Sequence, residues 1–85
     1  MNALIYTRGQ GLSEQVTKCK AYAEKMGYNV TAWATEGDDL SQYVGNLDID
    51  VLLVASPSRI GRTVEKYLMM ERILSWHGVS IEIAE

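Results

Sequence analysis

The sequence predicts a doubly wound α/β domain with three layers, α/β/α, around a four-stranded parallel sheet of order 2-1-3-4. Three observations lead to this fold class. Short apolar runs at residues 3–6, 30–34, 51–55 and 79–83 alternate with segments of helical periodicity. The connections are long enough for crossover helices, so a βαβαβαβ order calls for parallel strands. The runs also differ in pattern. Val51, Leu52, Leu53, Val54 and Ala55 form an unbroken apolar stretch, as a central strand covered on both faces requires. Val79, Ile81 and Ile83 alternate with Ser80 and Glu82, and Val30, Ala32 and Ala34 alternate with Thr31, Trp33 and Thr35, so these two runs belong at the edges. Strands one and three are left side by side in the middle.

An 85-residue chain holds one core, so residues 1–85 are expected to form a single domain without a separate binding domain. Hydrophobic residues make up 47% and charged residues 22%, with one proline, the composition of a folded domain and not of a disordered tail. Eight Lys and Arg against eleven Asp and Glu give a net charge of −3. General attraction to a nucleic-acid backbone is therefore excluded, and any anion site must be local. Cys19 has no partner for an internal disulfide, and neither a charged-then-apolar leader nor an apolar run of about 18 residues is present. Met1 reads as the true start, and a cytoplasmic protein without membrane contacts is expected.

Between the first two strands, Leu12, Val16, Cys19, Ala23 and Met26 recur at helical spacing, with Ser13 as the expected N-cap and Gly27 at the stop. Cys19 lies on the apolar stripe and reads as core, because nothing near it in sequence would activate a thiol. Residues 36–50 carry Glu36, Asp38, Asp39, Asp48 and Asp50 without a basic residue, but their spacing matches no metal motif. A solvated loop and a weak helix with Leu40, Tyr43, Val44 and Leu47 on one face account for the stretch, and neither metal nor cofactor is expected.

The third helix is expected from Arg62 or Thr63 to about His77. Its apolar residues, among them Val64, Tyr67, Leu68 and Leu74, are too many for one face. One stripe packs on the sheet. The other, with Met69, Met70, Ile73 and Trp76, would face water unless a second chain covers it, which makes these four the interface candidates. Short loops folding over part of the stripe are the alternative. His77 beside Gly78 reads as a helix C-terminal residue favoured by the dipole.

In an open parallel sheet, ligands bind beyond the carboxyl ends of the strands where the order reverses, here between strands one and three. Strand one runs into Tyr6-Thr7-Arg8, and strand three into Ser56-Pro57-Ser58-Arg59-Ile60-Gly61-Arg62. Arg8, Arg59 and Arg62 therefore converge on one candidate phosphate site, where a guanidinium can grip oxyanions through paired hydrogen bonds. Arginines at strand ends are also ordinary surface residues, and spacing leaves both readings open.

Tyr6-Thr7-Arg8 after the first strand, and Ser58-Arg59-Ile60-Gly61-Arg62 after a fully apolar strand, resemble the signature segments of the serine recombinases of the resolvase and invertase type. The likeness extends through Gln15, Ala21-Tyr22-Ala23 and Gly27-Tyr28 and covers nearly the whole chain. It implies a resolvase-like variant of the flavodoxin-like sheet. In that family a serine two residues after the first arginine attacks a DNA phosphodiester, and the arginines stabilise the phosphate. Carried over by position, Arg8, Arg59 and Arg62 would be phosphate and DNA ligands, and Gln10 stands where the nucleophile should be. An amide cannot attack phosphorus.

Other departures agree. The loop from Gln10 to Ser13 is shorter than the family's, Ser58 replaces the usual aspartate, and Gly37-Asp38-Asp39-Leu40 replaces a Ser-Gly segment with its own arginine. The 85 residues also contain no counterpart of the family's long dimerisation helix. The resemblance thus implies a degenerate domain of a phage or mobile element, tied to site-specific DNA recombination. Such a domain would be catalytically silent and act by association, as a homo-oligomer or with a recombinase partner, with weak, salt-dependent contact to DNA. The competing enzyme reading keeps strand cleavage and exchange through Ser13, Ser56 or Ser58, or through a partner chain. A third reading is a flavodoxin-like binder of a phosphorylated small molecule, for which a Gly-rich phosphate loop of the usual spacing is missing.

Overall fold

A computed structural model describes residues 1–35, 38, 40, 48–56, 59–60 and 63–84. The elements run β1 (Asn2–Thr7), α1 (Leu12–Met26), β2 (Asn29–Thr35), β3 (Val51–Val54), α2 (Val64–Trp76) and β4 (Ser80–Ile83). All strand pairs are parallel and the order is β2-β1-β3-β4, as the run patterns predict. Predicted strand limits agree to within about one residue at each end.

Alternation along β1 and β3 divides the core into two layers. Ala3, Ile5, Val51 and Leu53 face α1, where Cys19 and Ala23 meet them. Leu4, Tyr6, Leu52 and Val54 face the other way, against Leu74 of α2 and Leu40. Both central strands are buried on both faces, which is why they contain no polar alternation. Cys19 is wholly buried, and that burial pushes its thiol up to about 11 against the opposing pull of Lys18. At neutral pH it is a core thiol and not a nucleophile.

The β2 edge carries a register shift. Ala3 pairs with Val30 but Leu4 pairs with Ala32, so Thr31 is the extra residue of a bulge. Strict alternation would place Val30, Ala32 and Ala34 on one face. Instead Val30 packs in the α1 layer while Ala32 and Ala34 pack in the α2 layer.

Two expectations for α1 are corrected. Its N-cap is Gly11 in the left-handed region, with the Gln15 amide donating to the Gly11 carbonyl, and Ser13 is already inside the helix. The left-handed turn at Gly11 starts the helix before Ser13 can cap it. Leu12 and Met26, expected on the buried stripe, sit in the end turns and are 45% and 46% exposed. Gln15, Cys19 and Ala23 are its buried residues, and Tyr22 packs against the same core. Gly27 ends the helix in the left-handed region as expected, its amide bonding back into the last turn.

For α2, Thr63 is the N-cap, its hydroxyl accepting from the Lys66 amide, and His77 is the C-cap. The second stripe needs correction. Tyr67 and Met70 pack against the core around Leu74, three and four residues apart on the sheet-facing line. Met70 is thus a core contact, and Ile73 is half-buried. Val64, Leu68, Met69 and Trp76 are the exposed apolar residues, Trp76 at 77%. Of the weak helix expected at 40–47, Leu40 is helical and buried, while Tyr43, Val44 and Leu47 lie outside the described residues. Asp38 closes a turn, its carboxylate accepting from the Thr35 amide at 2.8 Å, and Asp50 accepts from the Asn2 amide at 2.8 Å.

On the α1 side of β4, the Glu82 carboxylate accepts from Tyr22 at 2.7 Å and from Tyr28 at 2.8 and 3.0 Å. The two rings meet edge to face with centroids 6.4 Å apart. Donating to Glu82 holds the Tyr28 phenol above its ordinary value, with burial and the carboxylate charge acting in the same direction. The protonated phenol is the form that stabilises the fold. Its contribution is complete below the ordinary tyrosine value of about 10 and is lost as pH rises through the higher folded value. Denaturant midpoints should therefore fall as pH rises above about 10, and Tyr28→Phe should flatten that slope. An identical alkaline slope in the variant would refute the assignment.

Candidate anion site

Residues 8–11 follow the carboxyl end of β1, and residues 55, 56, 59 and 60 follow that of β3, so the two loops meet where the strand order reverses. Gln15 fixes the first loop from below. Its side chain is 3% exposed and accepts from the Arg8 amide at 3.1 Å while donating to the carbonyls of Arg8 at 2.9 Å and Gln10 at 2.8 Å. A glutamine offers both an acceptor and two donors, so one side chain satisfies three backbone groups that the loop cannot pair internally.

The arginines fasten the loops to each other. Arg59 Nη1 donates to the Arg8 carbonyl at 3.0 Å, and Arg8 Nη1 reaches the Ile60 carbonyl at 3.4 Å. Gly9 makes the approach possible. It adopts a left-handed φ of 78°, and a Cβ there would stand 3.0 Å from Arg59 Nη1. The loops thus hold two half-buried cations close together, the arrangement that favours an oxyanion at this point.

Of the sequence-predicted site residues, Arg8 and Arg59 are thus brought together, and Arg62 lies outside the described residues, as does Ser58. Gln10 is exposed, and the contact described for it is through its backbone carbonyl. Ser13 is exposed on the first turn of α1, and Ser56 is half-buried at the start of the β3–α2 loop. Sequence reasoning missed two contributors. Gln15 falls four residues before Cys19 on the buried stripe, and a polar residue in that position was the available signal for a buried anchor. Lys18 was the other, its ammonium donating to the Ala55 carbonyl at 3.2 Å.

No family model and no curated protein matches the sequence. Solved structures do. The catalytic domain of TP901-1 integrase superposes with a TM-score of 0.88 at 23% identity, over 99% of this chain and 77% of that one. A resolvase family site-specific recombinase from Streptococcus pneumoniae gives 0.88 at 18% identity, over 99% and 72%. The catalytic domain of ISC1926 TnpA, an IS607-like serine recombinase, gives 0.84 at 24% identity, over 100% and 68%. Over its whole length the chain therefore has the resolvase-like α/β fold of serine recombinase catalytic domains.

Proposed function

We infer that the chain is a recombinase-fold domain that serves site-specific DNA recombination without cutting DNA, through association with another protein chain. Gln10 carries this inference. It occupies the position that the resemblance assigns to the nucleophile, and its amide has no lone pair able to attack phosphorus under ordinary conditions. Arg8 and Arg59 keep a local anion site in a chain of net charge −3, so contact with a phosphodiester is expected to be weak and to fall steeply with salt. Among the described residues no helix is long and apolar enough to cross a membrane.

The association surface is the outer side of α2. Met69 and Trp76 are 63% and 77% exposed, and Leu68 and Val64 of the same helix are exposed as well. A groove of about 520 Å³ runs between α2 and β4, lined by Leu68, Arg72, Trp76, Val79 and Ile81 among others. Leu74 is the one α2 residue fully buried among those described, while Val64, Leu68, Met69 and Trp76 leave apolar side chains exposed.

Two readouts test the inference. Incubation with supercoiled DNA should give no denaturant-resistant protein–DNA adduct. An adduct lost on Ser13→Ala or Ser56→Ala would establish the cleavage alternative instead. Sedimentation equilibrium should find an oligomer that Met69→Lys/Trp76→Glu converts to a folded monomer. A monomeric wild-type protein that also fails to bind a recombinase catalytic domain would remove the association role.

A further inference from the structure

Beside the two arginines lies a cleft of about 220 Å³ between α1 and the β3–α2 loop, with Glu14, Gln15, Lys18, Ser56 and Arg59 in its walls. Lys18 is three residues beyond Gln15, on the helix face that looks toward the end of β3. Its ammonium is anchored by the Ala55 carbonyl at 3.2 Å, at the last residue before the loop that carries Arg59. That bond uses one of three ammonium donors. The cleft thus places Lys18 on its helix wall and Arg59 on its loop wall, opposed by the single carboxylate of Glu14. Its described ionisable residues sum to +1 in a molecule of −3.

We propose that Lys18 is a phosphate ligand of this cleft, and that a nucleic-acid phosphodiester backbone lies between α1 and the β3–α2 loop with Lys18 and Arg59 on either side. The proposal rests on the anion-site reading above and adds to it a residue and a direction of entry. Lysine suits this role as a point charge on a flexible stem, while Arg59 is fixed by its bond to the Arg8 carbonyl. Glu14 on the same wall acts with the opposite sign, so its removal should strengthen what removal of Lys18 weakens.

The test is binding of a fluorescent random-sequence DNA duplex by the full chain across a salt series, with the fold of each variant checked by circular dichroism. Each phosphate contact contributes a slope of about 0.9 to the dependence of log affinity on log salt. Lys18→Met should therefore reduce the slope by about 0.9 and weaken binding about eightfold at about 0.1 M salt. Lys18→Arg should restore both, and Glu14→Gln should tighten binding. A purely structural Lys18 would leave the slope untouched. If Arg59→Ala lowers the slope and Lys18→Met does not, the Lys18 assignment fails while the anion site stands. If neither variant changes it, or the wild-type protein shows no salt-dependent binding, the anion-site reading itself falls. Displacement of the duplex by inorganic phosphate at matched ionic strength would overturn the phosphodiester in favour of a small anion.

Discussion

Replacing Gln15 with alanine is expected to cost about 3 kcal/mol, because the Arg8 amide and the Gln10 carbonyl lose this partner, the Arg8 carbonyl keeps only its bond from Arg59, and each unmet group costs roughly 1–3 kcal/mol before water compensates. The side chain is buried and its bonds to Arg8 and Gln10 hold the loop against the helix. Gln15→Glu separates the anchor from mere bulk. A carboxylate keeps the acceptor for the Arg8 amide but turns an oxygen toward two carbonyl oxygens, so it should be worse than alanine at neutral pH. The folded state then favours the protonated acid, whose pKa is raised above the unfolded value. The penalty is present above that folded value and is relieved as pH falls through it, when the acid regains a donor. Urea midpoints of wild type, Gln15→Ala and Gln15→Glu at about pH 7 and about pH 5 would show this reversal. Equal midpoints for all three at both values would mean that the loop does not depend on Gln15.

Leu74→Ala should have a comparable effect through a different cause. Leu74 is fully buried, and Tyr67 and Met70 pack around it to seat α2 on the sheet. Truncating a buried leucine removes transfer energy and leaves a cavity, about 2–5 kcal/mol in total. A domain of this length has roughly 4–13 kcal/mol to lose, so the variant should melt well below wild type, by about 10 °C or more. A shift of under about 4 °C would mean that α2 is not held by this residue. Met69→Ala, on the exposed side of the same helix, should leave the monomer's melting temperature nearly unchanged.

Much of the architecture was legible because it depends on local pattern. The unbroken apolar run at residues 51–55 identified a central strand, and alternation in the second and fourth runs identified the edges. Together these fix the order of the sheet and hence the place where the loops carrying Arg8 and Arg59 meet. What could not be read depends on geometry that periodicity does not encode. The face occupied by Val30 is set by the bulge at Thr31, and one extra residue reverses every side chain before it relative to those after. Met70 and Met69 are indistinguishable by hydrophobicity, and only the rotation of α2 about its axis sends one to the core and the other to solvent. Ser13 has the right chemistry for a cap, but the left-handed Gly11 begins the helix earlier. Gln15 was recognised as part of the family likeness, while its role as the anchor of the arginine loop required the distances.

The bulge in β2 makes the two margins of the sheet unequal. A regular outer strand is a template for pairing with another chain, and its amides and carbonyls repeat at the spacing a newcomer needs. At the β2 margin Thr31 breaks that repeat, whereas β4 runs beside β3 without a register shift. Strand addition is therefore directed to the β4 side. An assembly that can recruit through one margin closes on itself as a pair and has no second margin from which to grow. The residue that distributes β2 between two core layers would thus also limit how far sheets of this protein could propagate when crowded.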